Sequence, residues 1–372
     1  MYYFDLSAAV HRRAGLGRYA ASLALALQPL IPEELALFYN AEQGVDPLPD
    51  LDHLPTSTVA LGYKPWRMAV WLGQLGRIPF NRLVPDATLF HATEHLLPPL
   101  RRVPTVLTVH DLIFRHLPEH HKPLNRWYLN ATMPLYCRRA DRIIAVSQAT
   151  RRDLIAAYDV PAEKITVVPE AAAPRFQPPP PETVARIRAK HRLPENFVLY
   201  VGTIEPRKNL IRLLEAWAAL YEAHEAPPLV IVGKHGWLSD DFYAALAKNP
   251  CRDAVRFTGY VEDEELPAIF AAATVFAFPS LYEGFGLPPL EAMACGAPVL
   301  CSNTSSLPEV VGDAALTVEP TDTEALRAGL RRLLSDTDLR AELRARGFER
   351  AAQFSWDRAA RETLAVYRSL LT

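Results

Sequence analysis

At 372 residues this chain exceeds what one hydrophobic core usually serves, so two domains are expected. Hydrophobic residues at 49% and charged residues at 22% describe an ordinary globular protein and exclude a disordered one. A net charge of −2 gives no overall field to attract nucleic acid, and no apolar run reaches the ~20 residues needed to cross a bilayer.

The opening Met1-Tyr-Tyr-Phe-Asp-Leu-Ser7 lacks a basic start and breaks at Asp5, so it reads as a first strand rather than a secretory signal. From there short apolar runs alternate with helical patterns. Strands are predicted at 2–6, 35–39, 56–61, 87–91, 105–109, 142–146 and 164–168, and helices at 17–27, 124–140 and 148–158. The proline-dense 169–182 blocks both helix and central strand and is the best linker. Beyond it the alternation resumes, with strands at 197–201, 229–232, 255–258, 275–278, 299–302 and 316–318. Helices are predicted at 210–223, 240–248, 263–271, 290–294, 323–335 and 338–351. The amphipathic stretch 355–371 closes the chain behind a Ser355 N-cap. The expected domains are 1–170 and 171–354, each a doubly wound, mostly parallel sheet, with 355–372 packing back on the first. Four scattered cysteines without CxxC spacing suit a reduced, cytoplasmic protein.

The segment carrying most chemistry is Glu283-Gly-Phe-Gly-Leu-Pro-Pro-Leu-Glu291, between a buried strand and a helix. It falls at the carboxyl end of the sheet, where open α/β folds bind ligands. Gly284 and Gly286 loosen the loop, and a proline suits the first helical turn. The amides of Phe285, Gly286 and Leu287 are then expected to face an anion. Glu291, placed in the first turn, would be repelled by a phosphate and suits a sugar's hydroxyl pair. Amides for phosphate and carboxylates for hydroxyls suggest a sugar nucleotide.

Gly202-Thr-Ile-Glu-Pro-Arg-Lys-Asn209 puts Arg207 and Lys208 at a helix N-terminus, where cations are disfavoured unless an anion binds. A diphosphate can take a fork from Arg207 and a point charge from Lys208. The bland alternative is a solvated basic turn with Asn209 as N-cap. His110-Asp111, at another strand end, either donates to a sugar or phosphate or forms a structural turn capped by Asp111. Gly15-Leu-Gly17-Arg18-Tyr19 allows close backbone approach, but the full GxGxxG is absent, so NAD is not expected. Lys234, Tyr260 and Val261 lie on further strand-end loops, where they border a nucleobase or simply pack. Segment 63–77 mixes aromatics with Lys64, Arg67 and Arg77, and reads as a helix on its sheet or an interfacial one for a lipid-linked acceptor. Asp50-Leu-Asp52 and Asp336-Thr-Asp338 are weak metal candidates, with Asp338 a plausible helix cap.

Taken together these motifs resemble family 4 of the retaining glycosyltransferases. The resemblance spans nearly the whole chain, from Gly15–Tyr19 through His110-Asp111, 202–209 and 283–291 to Phe354-Ser-Trp-Asp-Arg358. It implies GT-B architecture: α/β, two Rossmann-like doubly wound domains facing a central cleft, acceptor on the first and nucleotide sugar on the second. It further implies that Arg207 and Lys208 hold the donor diphosphate, Glu283 contacts the transferred sugar, and Glu291 the ribose. His110 would sit beside the sugar and Gly17 would approach phosphates or acceptor. No cofactor or bound metal is implied. The Gly-x-Gly-Arg-Tyr, Glu-Pro-Arg-Lys-Asn and Gly-Lys-x-Gly-Trp motifs look most like GDP-mannose-dependent mannosyltransferases, with UDP-sugars as the alternative donors. The implied partners are GDP-mannose and a glycan or lipid-linked saccharide acceptor, no nucleic acid, and peripheral contact with the inner membrane face. A non-catalytic nucleotide-sugar binder and a nucleotide-sugar epimerase share the phosphate logic. One departure is Pro169-Glu-Ala-Ala-Ala, where many relatives carry an Asn-Gly turn.

Overall fold

A computed structural model describes residues 1–41, 45 and 48–371. The chain divides into two compact units, Met1–Glu170 with Ser355–Thr372, and Ala171–Phe354. In the first unit the strands are β1 (Tyr2–Asp5), β2 (Leu35–Asn40), β3 (Thr56–Val59), β4 (Leu89–Ala92), β5 (Thr105–Val109), β6 (Arg142–Ala145) and β7 (Ile165–Val167). They form one parallel sheet in the order β3-β2-β1-β4-β5-β6-β7. In the second unit β8 (Val198–Val201), β9 (Leu229–Val232), β10 (Val255–Gly259), β11 (Val275–Phe278), β12 (Val299–Ser302) and β13 (Leu316–Val318) form a parallel sheet in the order β10-β9-β8-β11-β12-β13.

The reason for parallel sheets lies in the strands themselves. β5, β8, β9, β11 and β12 are buried at every residue, so helices must cover both faces. In each sheet the order reverses once, between β1 and β4 and between β8 and β11, and crevices for ligands open outside the strand ends at such points. The final helix, Trp356–Arg368, belongs to the first unit. Its Ser355 side chain accepts from the Arg358 amide at 3.2 Å, and Tyr367 Oη meets His91 Nδ1 at 2.6 Å.

The structure corrects several helix boundaries. The helix expected at 17–27 runs Ala14–Leu27, that at 290–294 runs Leu287–Ala294, and that at 263–271 runs Leu266–Ala272. None of the three begins with a side-chain cap. Proline-rich 169–182 is not linker throughout, because Pro181 starts the helix Pro181–Lys190. Asp336, not Asp338, caps its helix, accepting from the Leu339 amide at 2.8 Å. Among the described residues no acid, histidine or cysteine cluster could hold a metal ion, and no helix is long and apolar enough to cross a membrane.

Candidate active site

In the second unit the reversal between β8 and β11 brings together residues 75 apart in sequence. The loop after β8 ends in a single 3₁₀ turn, Pro206–Lys208, and the loop after β11 carries Glu283. Lys208 Nζ donates to Glu283 Oε1 at 2.6 Å, and Arg207 Nη1 lies 2.7 Å from the same oxygen. Ser280 Oγ donates to it at 2.5 Å. Arg207 Nη2 also donates to Glu205 Oε1 at 2.5 Å, and Nη1 to the Tyr282 carbonyl at 2.7 Å. Lys208, Glu205 and Glu283 are all buried, and Lys208 Nζ sits over the Phe278 ring at 4.8 Å.

Burial alone would push the Glu283 carboxyl up, but the Arg207 and Lys208 charges with the Ser280 hydrogen bond hold it down at about 2. Burial and the neighbouring Arg207 lower Lys208, with Glu283 and Glu205 opposing them. Lys208 and Glu283 form a buried pair of opposite charges. Two cations and two carboxylates therefore cancel within the cluster. The basic turn is neither solvated nor charged overall, and Glu205 and Ser280 belong to its cluster. Asn209 does not cap the next helix, Leu210–Glu222. It adopts a left-handed conformation (φ 60°), and its amide donates to the Pro279 and Pro320 carbonyls at 3.0 and 2.7 Å, pinning the basic turn to the neighbouring loops.

The Glu283 loop is held by hydroxyls. The Glu283 amide donates to Ser305 Oγ at 2.9 Å, and Ser306 Oγ lies 2.9 Å from the Glu283 carbonyl and 2.6 Å from that of Phe285. Gly286 has φ +116°, and a Cβ there would come 2.7 Å from Leu307 Cδ2, so only glycine fits. The helix starts at Leu287 with Pro288 and Pro289 in its first turn, which leaves few amides for an anion. Glu291 is its fifth residue, beyond the first turn expected for it, and is 2% exposed. Gly284, Phe285 and Leu287 are buried as well, Phe285 lying edge-on to Phe354 at 5.8 Å. Of the other predicted donor residues, Lys234 and Tyr260 meet as a cation–π pair, 4.0 Å from Nζ to ring centre, while the Val261 side chain is buried.

In the first unit the reversal between β1 and β4 places Asp5 beside the loop bearing Glu94. Arg13 Nη1 donates to Glu94 Oε2 at 2.6 Å and its guanidinium covers the Tyr63 ring at 3.3 Å. Asp5, wholly buried and beside the Glu94 charge, is raised to about 7. His110 follows β5. Its Nε2 meets the Thr93 carbonyl at 2.9 Å and its Nδ1 meets Glu170 Oε1 at 3.1 Å. A carbonyl and a carboxylate only accept, so both ring nitrogens carry protons. Burial opposes that imidazolium, but the bond and charge of Glu170 prevail and its pKa is raised. Both nitrogens thus meet acceptors of the protein. Asp111 does cap its turn, accepting from the Ile113 amide at 3.0 Å. Gly17 lies inside its helix, and a Cβ there would stand 2.8 Å from the Ala8 carbonyl oxygen, so its lack of a side chain lets two helices pack closely. Arg13, Glu94, Glu170, Glu205 and Ser280 had no role in the sequence reading: Arg13 and Glu94, and Glu170 and His110, are partners far apart along the chain, while Glu205 and Ser280 bond the near neighbours Arg207 and Glu283.

Residues 13–176 match the sequence model described as Glycosyltransferase Family 4, and residues 183–350 match that of Glycosyl transferases group 1. The chain is 34% identical over 372 residues to an O-antigen chain mannosyltransferase B of Escherichia coli, covering 96% of each protein. Among solved structures, a sucrose-phosphate synthase from Thermosynechococcus elongatus superposes with a TM-score of 0.80 at 22% identity, over 100% of this chain and 99% of that one. WaaG, a glycosyltransferase involved in lipopolysaccharide biosynthesis, gives 0.75 at 19% identity over 99% of each. Two parallel doubly wound sheets with these structural neighbours define the GT-B fold, and the family models with the E. coli relative make the protein a glycosyltransferase. The chain belongs to glycosyltransferase family 4.

Proposed function

We propose that this enzyme moves a hexose, mannose from GDP-mannose, onto a glycan or lipid-linked saccharide acceptor with retention of anomeric configuration. The observation that carries the reading is the Arg207–Lys208–Glu283 cluster at the β8/β11 reversal. A diphosphate there takes the fork of Arg207 and the point charge of Lys208, and both cations stabilise the charge that grows on the leaving group without a metal. Since the cluster is neutral with Glu283 in place, the arriving diphosphate releases Glu283 from the cations. The freed carboxylate then accepts from hydroxyls of the transferred sugar, while Glu205 keeps Arg207 aimed. The mannose assignment is supported by the E. coli mannosyltransferase, similar along almost its whole length.

The test is a binding screen over GDP- and UDP-sugars, followed by product analysis with candidate glycan acceptors. GDP-mannose is expected to be consumed only with acceptor and to leave an α-linked mannose. Turnover of a UDP-sugar but not GDP-mannose would overturn the donor assignment. Recovery of an epimerised sugar without acceptor would point to the epimerase, and absence of any GDP release to a pure binder.

A further inference from the structure

Ser280 follows β11 by two residues and is 1% exposed. Its hydroxyl has one proton and three acceptors within reach. Glu283 Oε1 lies at 2.5 Å, the Arg207 carbonyl at 3.3 Å and the Tyr282 carbonyl at 3.5 Å. The carboxylate is both the nearest acceptor and the charged one, so the proton goes there. The two carbonyls are served without it. That of Arg207 takes the Leu281 amide at 2.8 Å, and that of Tyr282 takes Arg207 Nη1 at 2.7 Å.

Of these donors to Glu283 Oε1, Lys208 and Arg207 are cations at the ends of long side chains, whereas Ser280 is a neutral group on the same loop as Glu283. Backbone ties fix that loop on either side of the hydroxyl. The Pro279 carbonyl takes the Asn209 amide at 3.0 Å, and the Leu281 carbonyl accepts from Thr304 Oγ1 at 3.2 Å. A diphosphate that draws the ammonium and guanidinium heads to itself therefore leaves Ser280 where it is. Without another donor, a buried carboxylate stripped of its counter-ions takes up a proton and loses the charge that draws sugar hydroxyls. The remaining ionisable groups around the cluster cannot replace the cations. Glu205 is itself an acid, and burial pushes the Tyr200 phenol up, so it stays protonated and donates to the Thr203 carbonyl at 3.1 Å.

We infer that Ser280 is a positioning residue for sugar transfer, its hydroxyl holding Glu283 Oε1 once the donor diphosphate has taken Arg207 and Lys208, so that the other carboxylate oxygen meets the sugar. This role rests on the diphosphate reading of the cluster given above. Ser280→Ala isolates it, because the Arg207 and Tyr282 carbonyls keep their other donors and Glu283 alone is left short.

The first readout is the pH profile of transfer at saturating donor, which reports groups of the enzyme–substrate complex. Protonating Glu283 stops transfer, so any rise in its pKa moves the acid limb toward neutrality. In Ser280→Ala the limb should move up by about one to two pH units, since a hydrogen bond to a charged group changes proton affinity roughly ten- to a hundredfold. Ser280→Thr, which restores a hydroxyl, should bring it back. The second readout needs no turnover. Calorimetry of GDP binding at about pH 5.5, in buffers of different ionisation heat, counts the protons taken up on binding. Ser280→Ala should take up more than the wild type, and the difference should vanish when both proteins also carry Glu283→Gln. Pyrophosphate, which has the two phosphates without the base, should give the same difference. Melting curves will report that the variants are folded. An unmoved acid limb, equal proton uptake, or a difference that persists beside Glu283→Gln overturns the role of Ser280 and leaves the diphosphate site standing. A wild-type protein that binds neither GDP nor pyrophosphate overturns the diphosphate reading, and this inference with it.

Discussion

Replacing Glu283 by glutamine keeps the side chain's shape and removes its charge, which separates the carboxylate's structural work from its catalytic work. In the folded protein burial raises the Glu283 carboxyl, but Arg207 and Lys208 outweigh it and bring it from the ordinary 4.5 to about 2. At about 1.4 kcal/mol for each tenfold change in proton affinity, that corresponds to about 3 kcal/mol of stabilisation. Because the folded value is depressed, this contribution is present in full above pH 4.5 and is lost as pH falls through 2. Breaking a buried pair by removing one partner costs about 3–5 kcal/mol, the same size. At pH 7 Glu283→Gln should therefore lower the melting temperature by roughly 6–12 °C. It should also abolish sugar transfer. The decisive measurement adds GDP or pyrophosphate. With no carboxylate to displace, the two cations are open to the phosphates, so the variant should bind GDP at least as tightly as the wild type and be stabilised by it more. Calorimetry and thermal melts read both. If Glu283→Gln melts within about 2 °C of the wild type, or loses GDP affinity as Lys208→Ala does, the exchange of counter-ions is refuted.

Three further outcomes are expected. Lys208→Ala should abolish transfer and weaken GDP about 10- to 100-fold by calorimetry, since a buried charge-assisted partner is lost while Glu283 still occupies Arg207. Glu170→Gln should lower the His110 pKa, read from its ring-proton shifts, because burial then acts without the main opposing charge. In the wild type the raised His110 value adds stability that is complete below pH 6.5 and fades as pH rises through the folded value, so the urea midpoint should lose that dependence in the variant. Gly17→Ala should destabilise the first unit by about 1–3 kcal/mol, since the added Cβ meets backbone at 2.8 Å that cannot easily yield. Unchanged melting with lost turnover would instead return Gly17 to a ligand-facing role.

The strands were legible because parallel sheets bury them on both faces, so β9 and β11 read as unbroken apolar runs. Helix starts were legible at Leu210 and Asp240 without a capping side chain, and side-chain caps marked others. Ser355 announces the last helix, whereas Arg13 and Gly286 precede theirs with no capping side chain. Residue types at strand ends were enough to single out Arg207, Lys208 and Glu283. What local pattern does not contain is strand order, and strand order decides which strand ends meet. Glu205 was quoted within a motif without a role because its use depends on a guanidinium that also reaches across to the Glu283 loop.

The departure at Pro169-Glu170 gains a physical meaning in the same way. Read along the chain, Glu170 is only an unusual residue near a linker. Folded, it is 5% exposed and 3.1 Å from His110, a histidine 60 residues earlier whose other nitrogen already faces a carbonyl. A glycine or asparagine at that place could not hold an imidazolium, because neither brings a negative charge to offset the burial of the ring. A neutral His110 would keep one nitrogen free to accept, and that nitrogen could face a substrate hydroxyl. Glu170 therefore sets the charge of the residue beside it, and with it the work His110 can do. Asn substituted for Glu170 should return His110 to a neutral ring with the burial-lowered pKa of His91, which stands at about 3 beside Tyr367 and Thr108. A His110 pKa that stays above 6.5 in Glu170→Asn would show that Asp111 and the Thr93 carbonyl suffice to hold the proton, and that Glu170 does not set the charge.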